Sequence, residues 1–160
     1  MNRPAVASGP RPRRLPRDWK TVAGMAGFHR SIGFVIDLKD SSKGICIVRG
    51  KVRRAHLNIN GIVHGGVYAT ALDTAMGGAV VSDLADGETT ATTSLYVEFL
   101  RPARAGQELV ARGEILRRGR HIAFVEGKLD DGAGNQFAQA HGTWYIWSAD
   151  ERRPSRGRSR

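Results

Sequence analysis

Asp73 is the only Asp, Glu, Lys or Arg in the stretch NGIVHGGVYATALDTAMGGAV, residues 60 to 80. On helical spacing its neighbours are Ala69, Thr70, Met76 and Gly77, and none of them can neutralise a carboxylate. Held in a dry pocket, such a carboxylate is a strong base toward water. Packed without a partner against a sheet, it would be costly to bury and its pKa would rise. The plainer alternatives are a solvated surface Asp and a structural Asp bonded to distant backbone. His64, Gly65 and Gly66 stand where the same helix should begin. Unpaired N–H groups at a helix N-terminus carry partial positive charge, and glycine lets a ligand approach the backbone closely. Such donors can polarise a carbonyl and hold an oxyanion. Gly65 and Asp73 are eight residues apart in sequence, about 12 Å along one helix. One helix therefore cannot easily bring both to the same reacting carbon, and the spacing predicts a site completed by a second copy of the chain.

Other chemistries find no footing. There is no G-x-S-x-G and no H-E-x-x-H motif, and the single cysteine, Cys46, lies in a predicted strand with no motif around it. His29, His121 and His141 read as structural or surface residues without metal-ligand spacing, and His56 as a support for the loop that follows it. Neither a metal nor a cofactor is expected.

These groups need elements to position them. A short helix is predicted over Asp18 to about His29, with Asp18 as N-cap and Trp19, Val22, Met25 and Ala26 on one face. IGFVIDLK and KGICIVRGKV read as strands flanking the turn DSSK. Residues 65 to 84 are the one long helix; its Gly77 and Gly78 suggest close packing against a wide, flat partner such as a sheet. Then come TTSLYVEFL, with Leu95, Val97 and Phe99 on one face, ELVARGEILRRG, with Leu109, Ala111 and Ile115 on one face, HIAFVEGKL, and QFAQAHGTWYIW after the hairpin DDGAGN. Two strands, a long helix and a four-strand meander make an α+β pattern: a curved antiparallel sheet of five to six strands around one central helix.

The chain has 160 residues, which predicts one domain. Its formal charge of +10 is uneven. Residues 1–17 carry five Arg and no acid, and residues 150–160 carry five Arg against Asp150 and Glu151, which leaves +2 for residues 18–149. Residues 1–17 and 150–160 read as disordered basic tails and 18–149 as the folded domain. Because the basic excess lies outside that domain, no specific nucleic-acid partner is expected. No apolar run is long enough to span a bilayer, the N-terminus lacks a signal-peptide apolar region, and one cysteine fits a reducing cytoplasm.

HLNINGIVHGGVYATALDTAMG together with TTSLYVEFLRPA resembles the signature of the hotdog-fold acyl-CoA thioesterases of the phenylacetate-pathway (PaaI-like) type, over about residues 30 to 147. The resemblance implies dimers or dimers of dimers (homotetramers) with sites at the dimer interface, and hydrolysis of a small aromatic or short- to medium-chain acyl-CoA. It implies that Asp73 activates water or attacks the thioester, that the Gly65 N–H points at the thioester oxygen, that Asn58 orients the carbonyl or the water, and that His64 supports the loop. Thr92, or Thr93 if the register moves by one, would help place the water. Gly66 stands beside the Gly65 donor at the substrate end of the helix. Coenzyme A carries phosphates, so Arg101 and Arg104 in FLRPAR and Arg117, Arg118 and Arg120 in LRRGRH are candidates to bind it. Tyr68, Leu72 and Met76 could line an acyl pocket, although ordinary core packing would explain them equally well.

A non-catalytic acyl-CoA-binding module, such as the effector domain of a repressor, is the alternative. It would need a preceding helix-turn-helix, for which about 30 residues are too few. A hydratase on the same fold would carry a catalytic His and a helix Glu instead of HGG…D.

Overall fold

The computed structural model describes residues 19–24 and 27–148. The chain runs through α1 (Trp19–Gly24), α2 (Phe28–Ser31), β1 (Phe34–Ile36), β2 (Ile45–Lys51), a 3-10 turn (Arg54–His56), α3 (Gly65–Ser82), β3 (Glu88–Phe99), β4 (Glu108–Arg118), β5 (Ile122–Asp130) and β6 (Gln136–Ser148). The six strands form one antiparallel sheet in the order β1-β2-β4-β5-β6-β3, curled around α3.

Helix α3 buries Tyr68, Ala71, Leu72, Ala75, Met76, Ala79 and Val80, a stripe spaced alternately by three and one. That spacing keeps one face on the sheet. The stripe is rich in alanine, so the helix axis can come close to the strands. Gly113 on β4 completes the fit: a Cβ there would sit 2.4 Å from the backbone carbonyl of Ala75. A Cβ on Gly78 would sit 2.5 Å from the Cys46 sulfur on β2. The helical glycine therefore marks close packing on the sheet, as expected from sequence. Cys46 itself is fully buried, and burial pushes its thiol up to about 12.

Two expectations change. The helix predicted over residues 18–29 is two helices, because Gly27 adopts an extended backbone (φ −156°, ψ 175°) and caps α2; Asp18, Met25 and Ala26 fall outside the described residues. The four-strand meander is a three-strand one. β4, β5 and β6 are consecutive neighbours, but β3 pairs with β6 at the sheet edge, and the chain then crosses to place β4 beside β2. Alternation of side chains marks which face of a strand is buried, not which strand lies next to it. On β3, Leu95 and Val97 pack on the core as predicted, whereas Phe99 is 56% exposed and lies over the start of α3.

Candidate active site

Asp73 lies halfway along α3, off the buried stripe and half-buried. It does not pack on the sheet. It opens into a groove of about 320 Å³ walled by Phe28 and His29 of α2, Ala69, Thr70 and Thr74 of α3, and Leu95 of β3. Its Oδ1 accepts a hydrogen bond from the Thr92 hydroxyl at 2.9 Å. A register shift between Thr92 and Ser94 turns the next residue away, and the Thr93 hydroxyl bonds Thr143 instead. Of the two threonines that the sequence left open, Thr92 is the one beside the carboxylate. No ion pair to Asp73 forms among the described residues.

At the N-terminus of α3, His64 is the cap. Its Nδ1 accepts from the Gly66 N–H at 2.9 Å and its carbonyl accepts from Val67 at 2.9 Å. The Gly65 N–H is left without an acceptor among the described residues. The Phe99 ring covers Gly65 so closely that an added Cβ would meet it at 3.2 Å. Asn58 sits in the preceding loop, where its Oδ1 accepts from the Asn60 N–H at 2.9 Å. This Asx turn leaves the amide NH₂ of Asn58 as a donor with no partner among the described residues. His56 is buried and fastens the same loop, its Nδ1 accepting from the Arg53 N–H and its carbonyl from the His64 N–H. Burial and the Arg53 charge hold the His56 imidazole below its ordinary pKa, against a backbone bond to Ile32. Within one chain, Gly65 and Asp73 remain two helical turns apart, so the donor and the base do not meet.

Tyr68, Leu72 and Met76 do not line this groove. All three are buried between helix and sheet, Leu72 and Met76 against Gly127. The Tyr68 hydroxyl accepts from the Ala103 N–H at 2.6 Å and donates to the Arg101 carbonyl at 3.3 Å, pinning the loop after β3. The arginines do not form one cluster in a single chain. Arg101 and Arg104 are exposed beside the N-terminal end of α3. Arg118 lies beyond its C-terminal end, in ion pairs with Asp83, the C-cap of α3, and Glu88, the first residue of β3. That carboxylate pair accounts for Arg118 structurally and argues against a phosphate role; Arg117 and Arg120 are exposed near the same end.

The thioesterase superfamily model matches residues 60–138. A phenylacetic acid degradation-related protein of Ralstonia eutropha is 32% identical, with a TM-score of 0.70 over 79% of this chain and 95% of that one. The chain belongs to the thioesterase superfamily. Human acyl-coenzyme A thioesterase 13 is 27% identical over 128 residues, 79% of this chain and 90% of that protein. The PaaI protein of E. coli has a TM-score of 0.73 over 81% of this chain and 90% of that one; at 22% identity this shows the shared fold. The curled sheet around α3 is thus the hotdog fold, and the enzyme is a thioester hydrolase of PaaI-like type. No helix among the described residues is long and apolar enough to cross a membrane.

This thioesterase also brings to Asp73 two residues that the sequence did not mark. Phe28 and His29 come from α2, which no spacing connects to α3. The only hint was a short helical segment ahead of the first strand.

Proposed function

We propose that the protein hydrolyses a small acyl-CoA thioester to the free acid and CoA, with Asp73 as general base. The bond from Thr92 to Asp73 carries this reading, because it shows a carboxylate held in orientation on an open groove. With Oδ1 held by Thr92, Oδ2 is free to take a proton from a water molecule. The water oxygen attacks the thioester carbon, the carbonyl oxygen becomes an oxyanion, and a backbone N–H stabilises it. The tetrahedral intermediate then expels the CoA thiolate, which recovers the proton from Asp73. The step requires no cofactor.

The donor is the Gly65 N–H of a second copy. β3 is an edge strand of 12 residues, flanked by exposed Tyr96, Phe99 and Leu100. Such an edge invites pairing with another strand. Thr92, next to Asp73, and Phe99, next to Gly65, both face α3 from this strand. Antiparallel pairing of two copies about a two-fold axis near Leu95 and Tyr96 sets the Asp73 of each copy opposite the Gly65 of the other. The Asn58 amide from the loop before Gly65 would then reach the same carbonyl. Exposed Arg101 and Arg104 lie beside that helix terminus and suit the phosphates of CoA.

Thiol release from acyl-CoA by wild type and by Asp73→Asn tests the proposal. The variant is expected to lose at least ~100-fold in turnover, as removal of a general base does. Unchanged turnover would refute the role of Asp73. Wild-type protein that binds acyl-CoA without releasing thiol would establish the non-catalytic module instead.

A further inference from the structure

Helix α2 is a single turn, yet it supplies one wall of the Asp73 groove. Phe28 projects there at 70% exposure, while His29 is half-buried. The His29 Nε2 is buried and has no hydrogen-bond partner. The other side of the ring is set against Gly27, where an added Cβ would lie 3.1 Å from both Nδ1 and Cε1. The ring is therefore held in place, with one nitrogen unused.

The other polar groups of the groove are committed. The Thr70 hydroxyl donates to the Gly66 carbonyl at 2.8 Å, and the Thr74 hydroxyl to the Thr70 carbonyl at 2.7 Å. Asp73 Oδ1 is taken by Thr92, and its other oxygen serves the water. The remaining wall, Phe28, Ala69 and Leu95, is apolar. His29 Nε2 is the polar atom left over for a ligand.

We propose that His29 is a specificity-determining residue that selects acyl groups bearing a hydroxyl. The inference rests on the thioesterase reading of this groove. Burial, with the Arg30 charge adding to it, lowers the pKa of His29, so the ring is neutral at pH 7. A neutral imidazole nitrogen either donates or accepts, according to tautomer, and a hydroxyl can answer both. An unsubstituted acyl chain leaves that nitrogen unpaired in the closed complex, which is how a site built for a hydroxyl rejects the analogue without one.

Two matched pairs of probes test this: butyryl-CoA with 3-hydroxybutyryl-CoA, and 3-phenylpropionyl-CoA with 3-(4-hydroxyphenyl)propionyl-CoA. Wild type is expected to favour the hydroxylated member of at least one pair by ~10-fold or more in kcat/KM. His29→Phe and His29→Leu should abolish that preference by raising KM for the hydroxylated member, with kcat for the plain member within about threefold of wild type. His29→Gln, which keeps a donor and an acceptor, should retain part of the preference. Measuring both apolar variants keeps the test decisive even if one fails to fold. Equal kcat/KM within both pairs for wild type, or a preference that survives both apolar substitutions, overturns the inference. So does an equal loss on both members, which would make His29 structural or catalytic. Absence of wild-type turnover on all four probes would instead strike at the thioesterase reading itself.

Discussion

The Thr92 hydroxyl donates to Asp73 Oδ1 at 2.9 Å, and this bond ties the edge strand β3 to the middle of α3. Thr93, one residue on, faces the opposite side of the sheet and bonds Thr143 at 2.7 Å. The β-bulge between Thr92 and Ser94 produces that division. It places one hydroxyl in the candidate site and the other outside it.

Thr92→Val keeps the side-chain shape and removes the hydrogen bond. Turnover is expected to fall ~10-fold, less than removal of the base itself would cost, with KM changed less. Thr93→Val should keep turnover within about twofold. Steady-state thiol release for both variants checks the pair, and equal effects would show that the bond has no part in catalysis.

Tyr68→Phe removes the hydroxyl that serves the Ala103 N–H at 2.6 Å and the Arg101 carbonyl at 3.3 Å. Both Tyr68 and Ala103 are buried, so the amide would lose its hydrogen-bond acceptor. A buried unsatisfied donor costs about 1–3 kcal/mol, which for a chain of this size lowers Tm by roughly 2–10 °C. Burial also pushes the phenol above its usual pKa, against the Ala103 bond, so the hydroxyl stays protonated near neutral pH. Thermal unfolding followed by circular dichroism checks this; an unchanged Tm would mean that water replaces the hydroxyl.

Arg101 and Arg104 should act on CoA, and Arg118 on the fold. The double variant Arg101→Ala, Arg104→Ala is expected to raise KM for acyl-CoA at least ~5-fold with kcat little changed, and to weaken the dependence of KM on salt. Arg118→Ala should leave KM near its wild-type value. The opposite outcome would move the phosphate site to the C-terminal end of α3.

Arg118 also links stability to pH. Burial alone would raise the pKa of Glu88, but the Ala85 N–H, the hydrogen bond and charge of Arg118, and the charge of His121 outweigh it and hold the carboxyl below its ordinary value. A carboxylate whose pKa is depressed by folding stabilises the protein above its unfolded pKa, about 4.3 for Glu. That contribution is lost as pH falls through the lower folded value. Arg118→Ala is therefore expected to cost about 1 kcal/mol at pH 7, with the gap from wild type closing below about pH 4. Urea unfolding at both pH values measures it; a gap that persists in acid would exclude these ion pairs as its source.

Much of the scaffold is legible in the sequence because its signals are local. The stripe Tyr68, Ala71, Leu72, Ala75, Met76, Ala79 and Val80 repeats at helical spacing, and DDGAGN marks the β5–β6 hairpin. The break at Gly27 is not legible, because a single glycine inside an apolar pattern does not by itself stop a helix. Nor is the placement of β3 beside β6, since pairing depends on a crossover that no residue in either strand announces. Leu72 and Met76 read equally well as pocket or core, because an apolar side chain looks the same in both until the sheet is placed.

The sequence by itself determined the long helix, the lone carboxylate within it and the His-Gly-Gly entrance, since helical rise alone fixes their separation. Only the tertiary structure decided that Thr92 and not Thr93 meets Asp73, that His29 closes the groove, and that Arg118 is occupied by Asp83 and Glu88. Those relationships join residues far apart in the chain, and they arise from strand register, a bulge and the seating of α2, which are set when the sheet curls around the helix.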